Sequence, residues 1–347
     1  MRILIHSTNT INQIDSGIWD DLSAGMPFQS HAWHQFGEKV LADCLPIYLL
    51  AYQNEALIGR AVFWITRNEP LPKSVGWLRM VLLPILRTYP LLICRSPIAQ
   101  TSGLLISPKV DDSRDVVAAL IDAALVHGRQ KKCSALVLDY LSQSQEKDLP
   151  LYIRTLKSTY PGNILYNDYT DFNHFLTRCN KKVRQNYHRT LRELENIQVT
   201  IHSHKHAEHI QGLLPLIRNV ERQHDALPSP WVKFLLQYME MVDGTLLLAL
   251  MHGRVIGCML FLEDGDGQVA TAFGRESDLL YVYQGLFYEG LRMAMHHKVK
   301  HLRWGSGADE FKHKIGFLPE DNGVIAFTFS QPFLRKLSSK FLHLSWS

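Results

Sequence analysis

The chain has 347 residues, more than one hydrophobic core usually organises, so two domains are expected. Its 46% hydrophobic content excludes an unfolded chain, and 37 Lys and Arg against 33 Asp and Glu leave a formal charge of +4, too mild to call for DNA or an anionic membrane. The five cysteines, Cys44, Cys94, Cys133, Cys179 and Cys258, form no CxxC pair, which fits buried thiols in a reducing compartment better than a disulfide framework.

The opening MRILIHSTNTINQIDSG has only a short apolar patch broken by His6, so no signal peptide is expected and the protein is placed in the cytoplasm. Tyr48 to Ile65 reads as two apolar runs around a polar turn, a β-hairpin. An apolar insertion follows at about 67–95. Within it, Val75 to Cys94 has the length of a membrane span, but Arg79, Arg87, Pro84 and Pro90 interrupt it. It reads as a hairpin or loop packed on the protein, or as a peripheral contact with the inner face of a membrane, its arginines flanking Leu82, Leu83, Ile85 and Leu86. Ser96 to Gly103, SPIAQTSG, is expected where a strand enters its helix. There Gln100, Thr101 and Ser102 offer hydrogen bonds to an acceptor, or simply form a turn.

Val116 to Tyr140 carries an apolar stripe at helical spacing, then basic residues, then a short apolar run: helix, then strand. Hydrophilic ground at Gln143–Asp148 and Tyr160–Asp171 suggests domains at 1–170 and 171–335, with a tail at 336–347. The helix expected within Phe175–Val199 bears Lys181, Lys182, Arg184, His188, Arg189 and Arg192, as a solvated face or as a contact for a phosphorylated donor or acceptor. His202, His204, His206 and His209 lack an HExxH context or a cysteine partner, so no metal site is expected.

The second half repeats the first. Tyr48–Ile65 aligns without a gap on Leu246–Glu263, placing Ala51 on Ala249 and Gly59 on Gly257. Val116–Tyr140 aligns on Val282–Ser306, placing Leu120 on Leu286 and Lys132 on Lys298. Each half reads as hairpin, strand, helix, strand, an α+β unit with a mixed sheet flanked by helices. In the turn AFGRESDLLYVYQG, Arg275 is suited to a phosphate or carboxylate, with Tyr281 and Tyr283 beside it, or it is a surface arginine near Glu276 and Asp278. In WGSGADEFKHKIGFLP, Gly305 and Gly307 permit a sharp turn and a close backbone approach, and Lys312 is either a solvated lysine at a helix start or a cation carried into that space, with Phe311 excluding water.

The element order, the basic helix, and the strand end Trp304-Gly305 followed by Phe311, Lys312, Gly316 and Pro319 resemble the Fem-type and BioF/CelD-like acetyltransferases, a tandem-GNAT superfamily. The resemblance covers nearly the whole chain and implies two tandem GNAT-like domains and N-acyl transfer to an amine, in Fem-type members an aminoacyl group from tRNA to a cell-wall precursor. It implies Lys312 and Phe311 as catalytic residues. Beside it, the residues themselves offer binding roles to Arg275, Tyr281, Tyr283, Gly305, Gly307, Lys182, Arg184 and Gln100. Acyl-CoA or aminoacyl-tRNA would be a co-substrate rather than a tightly bound cofactor, and the acceptor a small-molecule or lipid-linked amine. The chain departs from the pattern twice: it has no long coiled-coil insertion, and Phe273–Gln284 lacks the Q/R-x-x-G-x-G/A loop that holds coenzyme A. With no G-x-S-x-G and no Cys-His pairing, direct attack by the amine is expected rather than an acyl-enzyme. The competing expectation is a non-catalytic module that binds a cell-envelope or lipid-linked ligand.

Overall fold

The computed structural model describes residues 3–69, 84–158, 161–206, 210–223, 228–276, 279–305 and 308–329. They form two compact units, the first drawing on 1–24, 41–160 and 321–329, the second on 25–40 and 161–320.

The first unit comprises β1 (Leu4–Thr8), α1 (Ser16–Ser23), β2 (Leu45–Gln53), β3 (Ala56–Thr66), β4 (Leu91–Cys94), β5 (Leu104–Ile106), α3 (Ser113–Gln130), β6 (Ala135–Leu141), α4 (Gln143–Glu146), β7 (Arg154–Lys157) and β15 (Val324–Phe329). Its sheet order is β1-β2-β3-β4-β6-β15-β7, with β5 also on β3, and β4 runs parallel to β6. The second comprises α2 (His31–Val40), β8 (Asn163–Tyr166), α5 (Phe172–Arg178), α6 (Lys181–Asn196), β9 (Val199–His204), α7 (Ile210–Gln223), α8 (Val232–Tyr238), β10 (Thr245–Met251), β11 (Arg254–Asp264), β12 (Gly267–Arg275), α9 (Leu280–His296), β13 (His301–Arg303), α10 (Asp309–Lys314) and β14 (Leu318–Pro319). Its order is β9-β10-β11-β12-β13-β8-β14, with β12 parallel to β13.

The duplication holds at the level of individual contacts. Ala51 pairs with Gly59 and Ala249 with Gly257, and each hairpin shifts register at the next residue. Each turns through two residues of positive φ, Asn54-Glu55 and His252-Gly253, the geometry that follows the right-handed twist of paired strands. The paired glycines do the same work: a Cβ at Gly59 would lie 2.9 Å from Val116 Cγ1, and one at Gly257 would lie 2.5 Å from Val282 Cγ1. Without side chains there, α3 and α9 settle onto their sheets and bury Leu120 and Leu286 completely. Both helices end in the same left-handed cap, at Lys132 and at Lys298, with Cys133 N–H bonding Gly128 O and Val299 N–H bonding Ala294 O.

Three departures from the expected organisation have local causes. First, two strands that the sequence did not announce cross the expected 170/171 boundary: β8 lies in the second sheet, antiparallel to β13, and β15 lies in the first, antiparallel to β6. Both strands are short and apolar, and nothing in their composition names a partner. Second, residues 25–40 belong to the second unit rather than to a continuous 1–170 domain. The Asp264 carboxylate accepts from Gln29 N–H, Ser30 N–H and Ser30 Oγ at the start of α2, and a Cβ at Gly267 would meet Pro27 at 2.3 Å. Third, the expected insertion at 67–95 ends earlier, because Leu91–Cys94 is a central strand between β3 and β6. Residues 70–83 of that insertion, with Leu82 and Leu83, and the 336–347 tail lie outside the described residues. Among the described residues no helix is long and apolar enough to cross a membrane.

Ser96–Gly103 is also not a strand-to-helix turn. Cys94 pairs with Phe63 and Ile106 with Gly59, just as Ala270 pairs with Phe261 and Arg275 with Gly257. Between those points the first sheet has eleven residues, 95–105, where the second has four, 271–274. The segment from Arg95 to Gly103 is thus a loop inserted at the site where β12 carries only a bulge with Ala272 at positive φ. Its ends meet at Val62, which accepts from Arg95 N–H and donates to Gly103 O.

Candidate functional site

In the second unit the parallel pair β12–β13 ends at Val269 and Arg303, and the strands then part. Beyond that point Trp304 N–H donates to Asn163 O at 3.1 Å and Asn163 N–H to Gly305 O at 3.2 Å, so the end of β13 follows β8 while β12 bulges away. Gly305, at φ +65°, turns the chain out of the sheet, and α10 begins after Ala308.

Lys312 reaches back from α10 to that strand end. It is 4% exposed, and its Nζ donates to the carbonyl oxygens of Trp304 and, at 2.9 Å, of Gly305. The reading of Lys312 as a solvated lysine is therefore corrected: two backbone carbonyls at the strand end, those of Trp304 and Gly305, draw the ammonium inward. Burial pushes its pKa down to about 8, while Asp309 pulls the other way. Asn163, also buried, ties the junction together, its Nδ2 donating to Gly305 O at 3.1 Å and to Asp309 Oδ1 at 2.7 Å, and its Oδ1 facing His313 Nε2 at 2.9 Å.

An aromatic wall stands beside this junction. Phe311 packs on Phe287, Tyr288 and Tyr283 with ring centroids 5.0, 6.0 and 6.1 Å away, and Trp304 packs on Phe287 at 4.5 Å. The Trp304 indole is fixed by Gln268 Oε1 at 3.2 Å, and Gln268 Nε2 donates to Glu263 Oε1 at 2.9 Å. Burial pushes the Tyr283 hydroxyl upward. A positive group thus lies buried beside aromatic rings at the parting of two parallel strands, held by strand-end carbonyls.

Of the residues singled out in the sequence, Lys312, Phe311, Tyr283 and Gly305 come together here. Gly307 lies outside the described residues. Arg275 ends β12 with its guanidinium on Glu276 O at 3.1 Å and Gln223 Oε1 at 3.4 Å. Tyr281 lies beneath the Arg189 guanidinium of α6, 5.5 Å from ring centroid to Cζ, so basic helix and turn do meet. Lys182 is exposed, and Arg184 caps the Cys179 carbonyl. Gln100 belongs to the first unit, where its carbonyl accepts from Asn322 Nδ2 at 3.0 Å. Asn163, Gln268 and Tyr288 were not foreseen: Asn163 fell in apparently hydrophilic linker, and the other two looked like ordinary strand and helix positions. A groove of about 430 Å³ between α6, β9 and α9, lined by Tyr187, Leu191, Leu194, Ile201, Tyr288 and Arg292, was also unannounced. Among the described residues no group of His, Cys, Asp or Glu is arranged to hold a metal.

The comparisons with known proteins agree with this fold. The structure is similar to that of FemX (TM-score 0.63, 12% identity, covering 97% of this chain and all of that one). It is also similar to a tandem GNAT protein from the clavulanic acid biosynthesis pathway (TM-score 0.56, 11% identity, covering 95% and 99%). A third similar structure is the C-terminal domain of a putative lysylphosphatidylglycerol synthetase from Agrobacterium fabrum (TM-score 0.54, 10% identity, covering 95% of each). At these identities the likeness establishes the tandem-GNAT fold. No curated protein sequence matched. Residues 10–345 match the profile of the FemAB-like family, described as peptidoglycan biosynthesis/recognition, and the chain belongs to that family.

Proposed function

We propose that this protein is an N-acyltransferase that moves an acyl or aminoacyl group directly onto an amine, with the reaction at the parting of β12 and β13 in the second unit. The observation that carries the reading is the buried Lys312 ammonium at that parting. Two of its three N–H groups hold the Trp304 and Gly305 carbonyls, and the third is suited to the oxygen that becomes negative when the amine attacks a thioester or ester carbonyl. Phe311, Tyr283 and Phe287 keep the surroundings apolar, so that charge acts at low dielectric.

The donor is acyl-CoA or aminoacyl-tRNA, and the basic face of α6 with Arg275 is the ground for its phosphates. The acceptor on this reading is an amine of a cell-envelope precursor, met in the cytoplasm or at the inner face of the membrane; the family's description, peptidoglycan biosynthesis/recognition, supports that choice. A binding module without turnover is the competing reading, favoured by the two carbonyls that Lys312 already serves. The deciding experiment incubates the protein with panels of acyl-CoAs and charged tRNAs and cell-wall precursor amines, and reads N-acylated product by mass spectrometry. Product with the native chain and almost none with Lys312→Met supports transfer; ligand binding without product supports the module.

A further inference from the structure

The Asp309 carboxylate and the Lys312 ammonium lie three positions apart on α10, a spacing at which opposite charges on a helix are neighbours and ordinarily pair. Here they do not. Lys312 Nζ directs two of its N–H groups at the Trp304 and Gly305 carbonyls, and among the described residues no carboxylate pairs with it. Asp309 Oδ1 instead accepts from Asn163 Nδ2 at 2.7 Å. The other hydrogen of that amide nitrogen goes to Gly305 O at 3.1 Å, the same oxygen that takes Lys312 Nζ at 2.9 Å. Asn163 thus holds the acid directly and meets the ammonium only through a shared carbonyl.

The amide has one orientation. Its nitrogen faces two acceptors, a backbone carbonyl and a carboxylate, so nitrogen and oxygen cannot be exchanged. Oδ1 therefore accepts from His313 Nε2, 2.9 Å away, which carries its hydrogen there. The backbone of Asn163 is pinned as well: its N–H donates to Gly305 O at 3.2 Å, and its O accepts from Trp304 N–H at 3.1 Å. At 2% exposure, water has little access to these bonds. One residue of β8 is thus fastened both to the end of β13 and to two positions of α10, and it fixes where the carboxylate of that helix lies.

We propose that Asn163 is a positioning residue that keeps the Asp309 carboxylate off the Lys312 ammonium, so that the third N–H of Lys312 stays open to the reacting oxygen. A carboxylate in contact with the ammonium would take that N–H and cancel the charge that a developing oxyanion needs. From where it is held, Asp309 only biases Lys312, favouring the charged form against the burial that disfavours it. The part Asn163 plays in turnover rests on the acyl-transfer reading; its hold on Asp309 does not.

The test follows the Lys312 titration midpoint by NMR of the lysine side chains in the intact protein, its signal identified by its loss in Lys312→Met, together with turnover. Asn163→Ala keeps both backbone bonds to β13 but releases the carboxylate. It is expected to raise the midpoint by about one pH unit or more and to lower turnover at neutral pH about tenfold or more. Adding Asp309→Asn is expected to bring the midpoint back to the native value or below, and turnover to within about threefold of native. An unchanged or lowered midpoint in Asn163→Ala, a midpoint that stays raised in the double variant, as water entering the space would leave it, or no recovery of turnover there overturns the proposal. Asp309→Asn alone, which can still accept from Asn163 Nδ2, decides the matter if Asn163→Ala does not fold. It is expected to lower the midpoint by less than about one pH unit, whereas a larger fall means that carboxylate and ammonium already touch and overturns the proposal. Should Lys312→Met leave turnover unchanged, the acyl-transfer reading fails, and the midpoints still decide the role of Asn163.

Discussion

The two units share a sheet, a hairpin turn, a glycine-to-valine contact and a helix cap, yet they differ at one place, where their parallel strands part. In the second, the strand bulges at Ala272 and Phe273, Gly305 occupies the strand end, and a lysine comes in from α10. In the first, Asp139 holds the position that the repeat assigns to Gly305, and an inserted loop brings Arg95, Ile98, Gln100 and Thr101. Duplication preserved what builds the sheet and changed what lies at its opening, so one copy carries the Lys312 ammonium there and the other, among the described residues, an arginine between two carboxylates.

The largest effect that can break this contrast is at Lys312. Lys312→Met keeps the side-chain length but removes the ammonium, and turnover is expected to fall on the order of a hundredfold to a thousandfold, about 3–4 kcal/mol. Near-native turnover by the methionine variant would move the chemistry away from the second opening. The pH dependence sharpens the same point. With the folded pKa at about 8 against an ordinary 10.5, the unfolded chain binds more protons between those values, so this group makes stability rise with pH across that window. Activity that needs the ammonium falls as pH rises through about 8. Lys312→Met should lose this stability increment, read as the difference between the two denaturation profiles against pH.

Next in size is Gly103→Ala. A Cβ there would lie 2.6 Å from Val62 O and 2.7 Å from Arg95 N, both backbone atoms with no freedom to retreat, and a loss of about 3 kcal/mol is expected in denaturant unfolding. A mild effect would mean that the loop closes less tightly than Val62 implies.

Gly257→Ala and Gly59→Ala test the shared architecture and should each cost about 1–2 kcal/mol, Gly257 the more because its contact with Val282 is closer. Adding Val282→Ala to the first, or Val116→Ala to the second, should recover part of the loss; strict additivity in either double-mutant cycle argues against that contact. Smallest is Gln100→Gly, which relieves a left-handed backbone at φ +53° and should raise stability by up to about 1 kcal/mol if Gln100 is only a loop residue.

The duplication was legible because it rests on local signals: a two-residue turn, a glycine beneath a helix, an apolar stripe. Lys312, Phe311 and Gly305 were legible as a group because glycines and a cation cluster in sequence. What stayed hidden depends on distant partners. Asn163 lies among polar residues and becomes structural only when β13 arrives beside β8. The burial of Lys312 follows from two strand-end carbonyls that α10 brings within its reach, which no charge pattern reports. Arg95 and Asp139, far apart in sequence, become neighbours only through the parallel register of β4 and β6.

The crossing of β8 and β15 also sets an order of events during synthesis. The first sheet needs β15, residues 324–329, between β6 and β7, so its seam stays open until those residues have left the ribosome. β8 must meanwhile be kept from that vacant seam, which has the same antiparallel geometry and an equal appetite for a short apolar strand. Until β13 emerges, β8 lacks its native neighbour, while β6 and β7 still wait for theirs.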